Sequence, residues 1–176
     1  MELRTEGLIL RPWQLEDAST LTAACQDPEI ARWISVIPWP YTEEDSYSFI
    51  GHSRESWDRG ESYNFAIVDA ASGDLAGSIA VRLRRFSTGH FGYWIAREAR
   101  GRGAATEALT ALCRWAVETL DVKRLELLTD PDNRGSQRVA EKAGFQREGL
   151  LRSSLENRDG TRRDAVIFSL LPQEMD

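Results

Sequence analysis

The string IAREARGRGAATEALTAL (residues 95–112) carries the clearest chemical signal in the chain. A strand passes through Arg100-Gly101-Arg102-Gly103-Ala104-Ala105 directly into an amphipathic helix. Small residues let the backbone come close to a ligand, the first helical turn leaves its N–H groups free, and the helix dipole adds about half a positive charge there. Such a turn is an anion cradle that a pyrophosphate fits. A Walker A loop needs a lysine that does not follow Gly103, and the Rossmann G-x-G-x-x-G spacing with its downstream acid is also absent. Within 82–102, six arginines (82, 84, 85, 97, 100 and 102) oppose only Glu98. The local charge of +5 suits an anionic ligand, although Arg82, Arg84 and Arg85 also read as a solvated strand face.

The elements that must hold this turn follow from hydrophobic periodicity. A first strand is expected over 7–13 and a helix over 15–26, where Leu15, Ala18, Leu21 and Ala24 share a face. Asp27-Pro28 caps a further turn, and Thr42 with Asp45 forms a capping box for a helix to about Trp57. From Ser62 the period becomes two. A three-strand antiparallel meander is expected, with turns at 71–74 and 87–89. A helix over 103–120, a strand over 123–129, a helix over 134–143 stopped by Gly144, and a hairpin turning at Asp159-Gly160 complete the chain. This order is mixed α/β and not a doubly wound parallel fold.

The 176 residues suit one domain able to bury roughly 70% of its surface. With 41% hydrophobic and 28% charged residues, the chain resembles soluble proteins. It offers no membrane span and no signal-peptide pattern, so a cytoplasmic location is expected. Cys25 and Cys113 match no metal or disulfide pattern and read as buried small hydrophobes; no metal is expected. The net charge of −6 disfavours nucleic acid as a partner. Residues 1–78 hold five arginines against fourteen acids, a surplus that suits a cationic acceptor, whereas 79–176 are net positive.

R-G-R-G-A-A resembles the Q/R-x-x-G-x-G/A signature of the GCN5-related N-acetyltransferases (GNAT), with Arg100, Gly103 and Ala105 in its defining positions. Leu8–Pro12, Asp17, Gly92-Tyr93-Trp94-Ile95, Asn133-x-x-Ser136, Glu141–Phe145 and Glu148-Gly149 extend the resemblance along nearly the whole chain, in order. They are similar to the branch that contains the RimJ/RimL-type ribosomal-protein N-terminal acetyltransferases. The resemblance implies one domain over 1–176 with a GNAT fold: a mostly antiparallel central sheet with one splayed parallel strand pair, flanked by helices. It implies acetyl transfer from acetyl-CoA to a primary amine, with a protein N-terminus as the favoured acceptor. Polyamines, amino acids and antibiotics are alternatives, and a non-catalytic acyl-CoA-binding module is another. A homodimer stays open.

By the same resemblance, the pantetheine arm pairs with the exposed backbone of Trp94, Ile95 and Ala96, where an N–H near Ile95 would polarise the thioester carbonyl. The N–H groups of Gly101, Arg102, Gly103, Ala104, Ala105 and Thr106 would hold the pyrophosphate, with Arg100 and Arg102 offsetting its charge. The family's usual tyrosine acid is replaced here by Ala140, and the branch's serine, Ser136, is the substitute acid. Asn133 would contact the cofactor or cap the helix. The family's usual glutamate base is replaced by His90, an imidazole able to take up a proton near neutrality; Glu148 and Glu156 are the other candidates. Trp39, between two prolines in a loop, and Tyr93 are the acceptor-binding candidates, while Trp33 and Trp57 read as core and His52 as surface.

Overall fold

The computed structural model describes residues 1–175; Asp176, the last residue of the expected domain, lies outside them. Eight strands form one sheet: β1 (Leu3–Arg4), β2 (Leu8–Pro12), β3 (Ser62–Asp69), β4 (Leu75–Arg84), β5 (Thr88–Ile95), β6 (Arg124–Thr129), β7 (Gln146–Glu156) and β8 (Arg162–Leu170). Their order is β1-β2-β3-β4-β5-β6-β8-β7. Among the described residues only β5 and β6 run parallel, and their register ends at Phe91 opposite Leu127. Both strands continue beyond that pair without partnering each other, so a gap opens between Gly92–Ile95 and Leu128–Thr129.

The helices are α1 (Ala18–Ala24), α2 (Pro28–Trp33), α3 (Glu43–Asp58), α4 (Ala104–Leu120) and α5 (Arg134–Lys142). Of the apolar stripe expected on α4, Ala108, Leu109, Leu112 and Ala116 are fully buried and Ala105, Val117 and Leu120 partly so; Cys113 beside them is also buried. Burial of each leucine contributes about 1.5–3 kcal/mol. Alternation along β5 sends Phe91, Tyr93 and Ile95 to the α4 side of the sheet, where they pack with Leu127 and Phe145. Trp94 points the other way and packs against the Trp13, Leu21 and Ile50 cluster beneath α1 and α3.

Local signals explain the helix ends. Thr42 Oγ1 accepts from Asp45 N (3.2 Å) and Asp45 Oδ2 accepts from Thr42 N (2.8 Å), closing the capping box of α3. Asp27 accepts from Glu29 N and starts α2, and Gly144 ends α5 with φ +88°. One turn differs from expectation. Arg84 pairs with Thr88, so the β4–β5 loop is Arg85-Phe86-Ser87 and not 87–89; Phe86 and Ser87 take the positive φ values, 60° and 52°. The two-residue strand β1 also went unseen, because a pair of residues has no period. Cys25 and Cys113 are free and buried, and burial pushes the Cys25 thiol up to about 12.

Candidate active site

The glycine turn has the geometry of an anion cradle. Gly101 (φ +77°) and Gly103 (φ +86°) are left-handed, a conformation that costs side-chain-bearing residues energy, and a Cβ on either would meet only open space. Among the described residues, no backbone acceptor takes the N–H groups of Gly101 through Thr106. The first turn of α4 begins with Glu107 N donating to Gly103 O, and the Glu107 carboxylate is drawn off to Gly7 N at 2.8 Å. Six consecutive donors without a backbone acceptor, with open space at both glycines, suit a pyrophosphate.

Arg100 Nε donates to Ile95 O (3.0 Å), and a terminal nitrogen lies 2.7 Å from Asp27 Oδ2. Both arginines expected to offset ligand charge are exposed; Arg102 has no ion-pair partner among the described residues, whereas Arg100 is engaged by Ile95 O and Asp27. Asp27, 7% exposed, also receives Arg97 at 3.1 Å. Burial alone would raise the Asp27 pKa, but Arg97, Glu29 N and Arg100 outweigh that and hold its carboxyl below the usual range.

The backbone of β5 is divided between its two neighbours. Ala96 N donates to Ala76 O, and antiparallel alternation then turns the polar groups of Trp94 and Gly92 toward β4. Those of Tyr93 and Ile95 turn toward the gap, with Ile95 O already taken by Arg100. Of the three residues expected to present backbone there, Ile95 alone does so, through its N–H, and Tyr93 joins it. Gly77 makes this arrangement possible: a Cβ on it would lie 2.2 Å from Trp94 O. On the other bank of the gap, Thr129 ends β6; the residue is 4% exposed and its Oγ1 has no hydrogen-bond partner among the described residues. A buried hydroxyl left unpaired is costly, and this one, closed off from solvent, can meet a ligand only where β6 yields at its end.

Ser136 stands at the start of α5, where Asn133 Oδ1 accepts its N–H at 3.0 Å, so Asn133 is the cap. Tyr93, expected as an acceptor contact, is instead joined to Ser136, with its phenol 3.0 Å from Ser136 Oγ. His90 lies three residues down β5, between Arg82 on β4 and Glu126 on β6, and on the opposite side of the sheet from Tyr93. Burial, Arg84 and Arg82 lower its pKa against the opposing pull of Glu126, so the imidazole is neutral at pH 7. Glu148, on β7, shares Arg124 with Glu126, the β6 neighbour of His90. Arg124 grips it with contacts of 3.1 and 2.6 Å, Ser169 Oγ donates to it at 2.6 Å, and both hold its carboxyl below the usual range. Glu156 is exposed near the β7–β8 turn, 3.9 Å from Arg162.

The loop after α2 carries Trp39, 44% exposed, and is tied to the β7–β8 hairpin. Arg158 donates to Ile37 O and Ala31 O, and Arg163 to Trp33 O. Trp33 is half-buried with Arg32 over its ring, Trp57 packs in the core, and His52 is exposed. Sequence reasoning missed Asp27, Gly77 and Thr129. Of these, only Asp27 carried a signal, as a helix cap.

A sheet that parts at one parallel pair, beside a glycine turn of free N–H groups, is the arrangement of an acyl-CoA-using transferase. Residues 7–146 match the Acetyltransferase (GNAT) domain family. The chain belongs to that family, and with it to the acetyl-CoA-dependent N-acetyltransferases. It is 29% identical over 174 residues to the uncharacterized N-acetyltransferase p20 of Bacillus licheniformis, covering 98% of this chain and 97% of that one. It is 28% identical over 144 residues to the ribosomal protein uS5-alanine N-acetyltransferase of Escherichia coli, covering 76% and 73%. Mycobacterium smegmatis RimJ, solved in complex with CoA-disulfide, superposes with a TM-score of 0.88 at 23% identity, over 99% of this chain and 88% of that one, a likeness of fold. No helix among the described residues is long and apolar enough to cross a membrane, and no cluster of three or more His, Cys, Asp or Glu residues among them could hold a metal.

Proposed function

We propose that this protein is a cytoplasmic enzyme of one domain that acetylates the α-amine of a protein or peptide N-terminus. The observation that carries the reading is the run of six free N–H groups from Gly101 to Thr106 at one end of the gap between β5 and β6. The likeness to the uS5-alanine enzyme favours a protein acceptor, and the fourteen acids of residues 1–78 favour a cationic one.

Acetyl-CoA supplies the activated acetyl thioester. Gly101 through Thr106 hold its pyrophosphate, with Arg102 adding charge. The Tyr93 and Ile95 backbone and Thr129 Oγ1 take the amide-bearing arm, and Ile95 N–H polarises the acetyl carbonyl. His90, neutral at pH 7, takes up the proton of the acceptor amine directly or through water, and Ser136 Oγ supplies a proton to the departing sulfur. Trp39 forms part of the acceptor wall.

Calorimetric titration with acetyl-CoA, followed by a thiol-release screen against N-terminal peptides and polyamines, tests this reading. Binding with peptide-dependent CoA release is expected, and Gly103→Glu abolishes binding by setting a carboxylate beside the pyrophosphate. Release with polyamines alone would assign a small-molecule acceptor, and binding without any release a non-catalytic module. Wild-type affinity in Gly103→Glu would remove the cradle from the site.

A further inference from the structure

The side chain of Tyr93 crosses from β5 to the first turn of α5, where its hydroxyl lies 3.0 Å from Ser136 Oγ and 3.5 Å from Ser136 O. A phenol has one proton to donate. Burial pushes the Tyr93 pKa up to about 12, against a smaller opposing pull from Ser136, so the phenol keeps its proton throughout the neutral range. Its nearer acceptor is Ser136 Oγ.

A serine in the first turn of a helix often turns its hydroxyl back to the backbone. Thr22 on α1 does this, donating to Ala18 O at 2.8 Å. Ser136 does not: among the described residues its Oγ has no partner besides Tyr93, and its N–H is held by Asn133. Either hydroxyl can donate in this contact; with the phenol as donor, an Oγ lone pair of Ser136 is engaged and the Ser136 proton faces away from Tyr93, where it finds no backbone acceptor.

We propose that Tyr93 is the positioning residue of the acid step, the phenol that makes Ser136 a hydrogen-bond donor toward the gap between β5 and β6. This rests on the reading of Ser136 as the acid. As the C–S bond of the thioester breaks, sulfur leaves with the electron pair and takes the Ser136 proton. Ser136 is reprotonated from solvent, to which the base has passed the proton of the amine. The Tyr93 phenol keeps its own proton throughout and touches neither substrate. The phenol was grouped with the acceptor contacts on sequence; the contact with Ser136 reassigns it to the leaving-group side.

The test uses Tyr93→Phe, Ser136→Ala and the double variant, with kcat, KM and a calorimetric Kd for acetyl-CoA. Tyr93→Phe keeps the ring and lowers kcat about three- to tenfold with Kd within twofold, the worth of one net hydrogen bond. The double variant matches Ser136→Ala alone, because the phenol acts only through that hydroxyl. Additive losses, or an unchanged kcat in Tyr93→Phe beside an impaired Ser136→Ala, would overturn the role of Tyr93. An unimpaired Ser136→Ala would instead overturn the acid reading beneath it. A second readout needs neither substrate nor turnover: in protein labelled with ¹³Cζ-tyrosine, Ser136→Ala shifts the Tyr93 resonance, and an unmoved resonance would show that the bond is absent.

Discussion

Arg100 and Asp27, far apart in sequence, meet at 2.7 Å, and the same guanidinium donates to Ile95 O at 3.0 Å. Asp27 is also the residue that starts α2. One buried carboxylate therefore joins the helix leading into the Trp39 loop to the turn that forms the anion cradle and to the strand lining the gap. Arg100 shares this carboxylate with Arg97 and braces the end of β5 through Ile95 O, just ahead of the cradle.

Asp27→Asn leaves Arg97 and Arg100 without their carboxylate and costs about 1–3 kcal/mol in urea unfolding at pH 7, below the full cost of a deeply buried pair because both arginines reach solvent. The Asp27 pKa is lower folded than unfolded, so its stabilisation is present above the unfolded value near 3.8 and is lost as pH falls through the lower folded value. The variant therefore loses less stability than wild type as pH falls below the unfolded value near 3.8, and equal losses in parallel acid titrations of the two proteins would refute this.

Gly77→Ala places a methyl group 2.2 Å from Trp94 O and 3.1 Å from Ile95 Cα. Backbone cannot swing aside as a side chain can, so β4 and β5 must separate, at about 1–3 kcal/mol. The displacement falls on the strand that presents Ile95 N–H to the gap. Weakened acetyl-CoA binding should accompany the drop in melting temperature, and wild-type values of both would show that the strands yield freely.

Thr129→Val separates binding from stability. Valine fills the same volume without the unpaired hydroxyl, so the folded protein is equally stable or gains up to about 1 kcal/mol. If Thr129 Oγ1 bonds the donor, acetyl-CoA binds about three- to tenfold more weakly in the same variant. Equal affinity measured by calorimetry would remove Thr129 from the site.

His90 governs the acidic limb of the pH–rate profile. Its burial and the nearby Arg84 and Arg82 hold its pKa below 6.5 despite Glu126, so kcat/KM falls as pH drops through a value under 6.5. His90→Gln lowers the plateau and abolishes that limb. Glu148→Gln leaves the limb in place, since Arg124 and Ser169 already occupy the carboxylate, and instead lowers stability. A limb that survives in His90→Gln and disappears in Glu148→Gln would reverse the assignment.

Much of this arrangement was legible along the chain. Period 3.6 through α4 placed that helix nearly to the residue, because burial on one face imposes the spacing; β3 was placed over Ser62–Asp69 as well, although the fold buries both its faces from Phe65 to Val68. Thr42 with Asp45 and the turn from Gly101 to Gly103 were readable because capping and left-handed backbone depend on neighbours in sequence. Alternation along β5 also groups Phe91, Tyr93 and Ile95 on one face, yet it does not say what covers that face. The fold alone brings α5 over Tyr93, joins Arg100 to Asp27, leaves Thr129 unpaired beside the gap and ties Glu148 to Arg124. Local spacing records the period of burial and the chemistry of turns. Partnership between residues distant along the chain is decided by how helices pack on a twisted sheet.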